Sequence, residues 1–96
     1  MGKNRDQPLF RITISTMTGV EMSFLVKRGY RWTHLGPYLW RGMLKRKIVS
    51  RDSNVSYDVA CDGKRVDWGK KLRDYNIRDD VDPLPALTLV LRRPGF

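Results

Sequence analysis

The sequence predicts one α+β domain, built from a β-hairpin, a single helix and three further strands. Three observations carry this. Residues 10–26 alternate apolar and polar on both sides of a glycine turn, at the period of two that marks half-buried strands. Trp32, Leu35, Leu39 and Met43 recur at intervals of three, four and four, which places them on one face of a helix. Residues 86–92, ALTLVLR, form a short apolar run after a proline-containing loop.

The elements follow in order. Residues 1–8 are polar, end in Pro8 and are read as a flexible N-terminal tail. The folded domain is expected over 9–93, with 94–96 as a C-terminal tail. In the first strand Phe10, Ile12 and Ile14 point one way and Arg11, Thr13 and Ser15 the other. Met17-Thr18-Gly19 is the turn, its glycine supplying a positive φ. Val20, Met22, Phe24 and Val26 alternate with Glu21, Ser23 and Leu25 in the returning strand. Lys27-Arg28-Gly29 breaks the pattern.

For the helix, Thr33 is a candidate N-cap. Pro37 fits only near the first turn, so a start at Gly36 is the alternative. Gly42 weakens the middle of the helix by up to ~1 kcal/mol relative to alanine. Arg41, Lys45, Arg46 and Lys47 load the C-terminal end with the charge that its dipole favours.

Residues 49–56 read as a polar loop. Tyr57, Val59 and Cys61 alternate with Asp58 and Ala60 as a third strand. Asp62-Gly63 is a turn signal, and Lys64-Arg65-Val66 is a short fourth strand. A second turn is expected at Trp68-Gly69. Leu72, Tyr75 and Ile77 anchor a compact turn or a short 3₁₀ piece. Residues 79–85, DDVDPLP, form a loop before the final strand.

Composition limits the function classes. The chain has 96 residues, and its 19 Lys plus Arg exceed its 10 Asp plus Glu to give a net charge of +9. Such a charge attracts polyanions, RNA and acidic protein surfaces included, or simply keeps the surface solvated. Nothing approaches the ~20 consecutive apolar residues of a membrane span, and MGKNRDQP lacks a signal-peptide apolar region. A nuclear or cytoplasmic location without membrane attachment is expected. The single cysteine, Cys61, cannot form an internal disulfide, which suits a reducing compartment; it reads as a small buried hydrophobe on a strand rather than a reactive thiol. One histidine, His34, with one cysteine does not make a four-ligand zinc site, so no metal and no cofactor are expected. Asp79, Asp80 and Asp82 lack the spacing of an EF-hand. No nucleophile elbow, P-loop or paired catalytic carboxylates are present, and the chain is expected not to be an enzyme.

The stretch CDGKRVDWGKKLRDYNIRDD followed by LTLVLR resembles the second half of ubiquitin. The matching elements are the Gly63-Lys64 turn, Val66, Gly69, Leu72, the run Asp74-Tyr75-Asn76-Ile77, and the strand from Leu87 to Arg92. FRITISTMTG, with Gly19 at the turn, is similar to the opening hairpin of that family. The resemblance covers residues 10–93 and implies a ubiquitin-like β-grasp: a mixed sheet of four to five strands packed on one helix. In such a loop the Tyr75 hydroxyl can satisfy backbone groups while its ring packs, and Asp74 can stabilise the local turn. Both therefore read as structural.

The resemblance also places functional positions. The apolar patch that receptors bind in ubiquitin falls on Met17, Ala60, Thr88 and Val90. Ala60 replaces a large aliphatic residue and Thr88 a histidine, which removes area where hot spots concentrate. Ordinary ubiquitin receptors are expected to bind this surface poorly. Of the chain-forming lysines only Lys64 has a match; the other positions hold Ser15, Val20, Gly36, Tyr38, Gly42 and Asp79. Where conjugation in this family needs Gly-Gly, the sequence reads Gly95-Phe96 after Pro94, so no covalent conjugation is expected. Locally, KKLRDYNIR (70–78) resembles the corresponding stretch in the small ubiquitin-like subunit of the minor spliceosome's U11/U12 particle, which implies a ribonucleoprotein setting.

The expectation is a non-conjugated ubiquitin-like interaction module, a basic adaptor or subunit of a larger assembly with one or more protein partners. Tyr30, Tyr38, Trp40 and Trp68 do not all fit the core pattern, and Trp40 and Trp68 are candidate partner contacts beside the four patch positions. The alternative is direct RNA binding. Its candidate phosphate contacts are Arg41, Lys45, Arg46 and Lys47, then Lys64, Arg65, Lys70, Lys71 and Arg73, then Arg92 and Arg93, with a tryptophan stacking on a base.

Overall fold

The computed structural model describes residues 9–52 and 54–92. The proposed tails 1–8 and 94–96, and Arg93, lie outside the described residues. Strand β1 spans Leu9–Thr16 and β2 Glu21–Lys27; helix α1 spans Trp32–Lys45; β3 is Ser56–Cys61, β4 Lys64–Arg65 and β5 Leu87–Arg92. A 3₁₀ turn, Leu72–Tyr75, precedes the loop to β5. The sheet order is β2-β1-β5-β3-β4. Among the described residues β1 and β5 alone pair in parallel, from Ile14 opposite Leu87 to Thr16 opposite Leu89. The other three pairings are antiparallel. The result is the mixed sheet over one helix that the strand pattern and the resemblance imply.

One face of the sheet and one stripe of α1 make the core. Ile12, Ile14, Met22, Val26, Val59, Leu87 and Leu89 meet Trp32, Leu35, Leu39 and Met43, all buried. Leu72, Ile77 and Val66 close one end. Val49 joins them at 7% exposure, which corrects the reading of 49–56 as a wholly polar loop. The Ile48 amide donates to the Met43 carbonyl (2.9 Å), so the chain turns sharply off the helix and tucks the next side chain under it.

The turns are those the residues dictate. Asp62 (φ 50°) and Gly63 (φ 87°) both take the left-handed region, the geometry of a two-residue type I′ hairpin. The 3₁₀ turn ends on Asn76 at φ 63°, a conformation that asparagine tolerates.

The helix start differs from both sequence readings. It begins at Trp32 with Arg31 as N-cap, not at Thr33 or Gly36. Its free N–H groups are taken by distant carbonyls rather than by a capping side chain: Trp32 donates to Lys70 (3.1 Å) and Thr33 to Trp68 (3.1 Å). His34 Nδ1 accepts from the Arg31 amide (2.9 Å). Pro37 then sits inside the helix, where it forfeits one backbone bond.

Candidate interaction surface

The helix start positions an aromatic cluster. The loop 68–72 is stitched to residues 30–33 by the two bonds above, by Leu72 donating to the Tyr30 carbonyl (2.8 Å), and by Arg31 Nη1 donating to the Gly69 carbonyl (2.8 Å). Gly69 is turned back by its own amide donating to Asp67 Oδ1 (2.9 Å). Trp68 is thereby carried against the end of β3.

Five rings then touch in series. Trp40 on α1 stacks on Tyr57 of β3, with centroids 5.9 Å apart and planes 20° apart. Tyr57 meets Trp68 edge-on (5.9 Å, 84°). Trp68 meets Trp32 in the same manner (6.3 Å, 72°), and Trp32 meets Tyr75 (5.8 Å, 81°). Offset and edge-on pairs of this kind contribute about 0.5–1.5 kcal/mol each beyond their burial. Trp32 is wholly buried; the other four are half-buried. The Trp32 indole N–H has no acceptor among the described residues.

Polar anchors hold the partly exposed rings. The Tyr57 hydroxyl donates to the Gly36 carbonyl (3.1 Å). Burial raises the Tyr57 phenol above its ordinary pKa, which keeps the hydroxyl a donor. Trp68 Nε1 donates to Asp58 Oδ1 (2.9 Å), and Arg65 Nη1 reaches Asp58 Oδ2 (3.3 Å). Gly36 forms the floor beneath them. A Cβ there would lie 3.5 Å from Tyr57 Oη and 3.8 Å from the Trp68 ring. Thr33, Gly36, Tyr57 and Trp68 thus line a shallow open depression. Trp68 lines it directly, whereas Trp40 lies beyond its rim and joins it only by stacking on Tyr57. The sequence pattern identified the two tryptophans, but not Tyr57 and Gly36 as their partners; the stacking depends on the register of β3 against α1.

The four patch positions give a different picture. On the outer face of the sheet, Ser15, Thr88, Ala60 and Arg65 lie side by side across β1, β5, β3 and β4. Ala60 is only 9% exposed and Met17 is 81% exposed at the hairpin tip. Thr88 and Val90 are half-buried. Ala60 therefore lies low on a small-residue, polar face rather than standing out as an apolar anchor.

The cations divide into paired and unpaired. Arg65 is engaged with Asp58, Arg78 with Asp80, and Arg28 holds Asp79 through both carboxylate oxygens (2.7 and 2.9 Å). The hydrogen bond from Arg28 holds the Asp79 carboxyl below its ordinary range. Arg41, Lys45, Arg46, Lys47, Lys64, Lys70, Arg73 and Arg92 are exposed and Lys71 half-exposed. Among the described residues none of these nine makes an ion pair.

The remaining sequence candidates find structural roles. Cys61 is buried, its thiol raised above the ordinary pKa chiefly by burial and then by Asp62. The Tyr75 hydroxyl accepts from the Asp67 amide (2.7 Å), and Asp74 Oδ2 accepts from the Lys71 amide (2.9 Å), as the loop reading expects. Among the described residues no group of three His, Cys, Asp or Glu converges on a common point. No described helix is long and apolar enough to cross a membrane.

No family model matches the chain, and no curated protein does. Among solved structures, the chain is similar to a computationally designed protein based on the template of human erythrocytic ubiquitin, known from its solution NMR structure. The two share 19% identity over 90% of this chain and 95% of that one, with a TM-score of 0.59. The fold is that of a ubiquitin-like β-grasp.

Proposed function

We propose that this chain is a non-catalytic ubiquitin-like interaction module that docks a protein partner against the Trp40-Tyr57-Trp68 face and takes its place in a larger assembly as an adaptor or subunit. The observation that carries this reading is the rigid, half-exposed aromatic series beside an open depression floored by Gly36. Aromatic rings already fixed by packing and hydrogen bonds lose little entropy on binding, and tryptophan and tyrosine dominate interface hot spots. The small, nearly buried Ala60 beside Thr88 on the outer sheet face supports a partner different from ubiquitin's own receptors.

A second reading is direct RNA binding within a nuclear or cytoplasmic ribonucleoprotein. It is favoured by the unpaired cations at the C-terminal end of α1 and by the 70–78 stretch.

The test is affinity capture from the source cell with and without nuclease, using the wild-type chain and Trp40→Ala. A protein partner that survives nuclease and is lost with Trp40→Ala, while the variant still melts cooperatively, supports the first reading. Partners that all vanish with nuclease support the second. A thioester formed with an activating enzyme and ATP contradicts the non-covalent role.

A further inference from the structure

We propose that the solvent face of α1 binds single-stranded nucleic acid: the cleft formed by Tyr30, His34, Pro37, Tyr38 and Arg41 receives a base, and Arg41, Lys45, Arg46 and Lys47 hold the phosphates that follow. The inference rests on the second reading above and gives it a site and a strand type.

His34, Tyr38, Arg41 and Lys45 are separated by four, three and four residues, so they form one stripe along the helix. All four are exposed, and Tyr38 is 52% exposed although it is a large aromatic residue. Tyr38 has no ring partner among the described residues, whereas Tyr30 and His34 pair at 5.4 Å with their planes tilted by 41°. Between them lies a shallow cleft of about 370 Å³. That is near the lower end of small-ligand pockets and open enough for a flat ring to enter from the side.

The charge of this face is of one sign. Residues 32–45, WTHLGPYLWRGMLK, contain no aspartate or glutamate. Elsewhere in the domain carboxylates engage Arg28, Arg65 and Arg78. Along this stripe no carboxylate intervenes, and the positive run continues past the helix end through Arg46 and Lys47. Arg46 is partly occupied in holding the Gly42 carbonyl at 3.5 Å. Arg41 and Lys45 stand one helical turn apart, about 6 Å between their Cβ atoms, with the aromatic cleft at their N-terminal side.

An exposed ring set beside a row of cations is how strands are bound without sequence preference: bases stack on the rings and the backbone follows the charge. The rings of a duplex are already stacked on one another, so a duplex offers this surface only phosphates. An acidic peptide would use the cations and leave Tyr38 idle. The exposed ring therefore selects the single strand.

The probe is a fluorescein-labelled single-stranded oligouridylate of roughly ten nucleotides, within the usual range of site sizes. Anisotropy is read at about 50 mM salt and then across a salt series. The proposal expects saturable binding, a loss of about 5- to 150-fold with Tyr38→Ala and retention with Tyr38→Phe. Lys45→Gln should lower the slope of log affinity against log salt by about 0.7. Saturable binding of the matching deoxyoligonucleotide also supports the proposal. No saturable binding at low salt overturns both this site and the RNA reading. Binding indifferent to Tyr38→Ala but weakened by Lys64→Gln or Lys70→Gln overturns the cleft and leaves the charge reading standing. Duplex bound as tightly as single strand, or an acidic peptide displacing the oligouridylate without regard to Tyr38, also overturns it.

Discussion

At the scale of single residues, the loop between β4 and β5 is held by side chains that bond to the backbone. Tyr75 is the clearest. Its ring packs on Trp32 and its hydroxyl accepts from the Asp67 amide. Tyr75→Phe keeps the ring and removes the acceptor of an exposed amide, so stability should fall by about 0.5–1.5 kcal/mol in denaturant unfolding, with no change in the slope. The Arg28–Asp79 pair makes a pH-dependent contribution. Asp79 has a lowered pKa in the folded chain against about 3.9 when unfolded. Its contribution is therefore complete above the unfolded value and disappears as pH falls through the folded one. Wild type and Asp79→Asn should differ in melting temperature at neutral pH and converge in strong acid. The effect of this pair is small, because Arg28 is more than half exposed.

At the scale of elements, what could be read from the sequence was whatever has a local cause. The hairpin, the I′ turn at Asp62-Gly63, the 3₁₀ turn and β5 follow from alternation and turn chemistry, which act within a few residues. The start of α1 was not legible because carbonyls of Trp68 and Lys70, more than thirty positions away, supply its caps. No nearby residue announces them, and Pro37 argued for a later start. Val49 was missed for a similar reason: one buried side chain in a polar segment has no period. Trp40 and Trp68 were visible as misfits to the core pattern, whereas the Tyr57 bridge and the Gly36 floor depend on register. Gly36 can be tested as an element. Glycine inside a helix costs about 0.5–1 kcal/mol relative to alanine, and the new Cβ meets its neighbours at ordinary contact distance. Gly36→Ala should raise Tm by a few degrees while filling the floor of the depression.

At the scale of the whole molecule, a ubiquitin-like scaffold presents three faces of different character. The outer sheet face is low at Ala60 and Thr88, the flank between α1 and β3 is aromatic, and the outer side of α1 is cationic. Fold alone assigns no function, so the faces must be separated by experiment. The most direct measurement is the affinity of the nuclease-resistant partner for three chains: wild type, Gly36→Ala and Thr88→Arg. The first variant alters the aromatic flank while gaining stability; the second places a large charge on the outer sheet face, where Thr88 is only half-buried. The account predicts that Gly36→Ala weakens binding by about tenfold or more, the effect of ~1.4 kcal/mol, and that Thr88→Arg leaves it within about twofold. Undiminished binding by Gly36→Ala together with loss through Thr88→Arg would contradict it and return the interaction to the sheet face that ubiquitin uses.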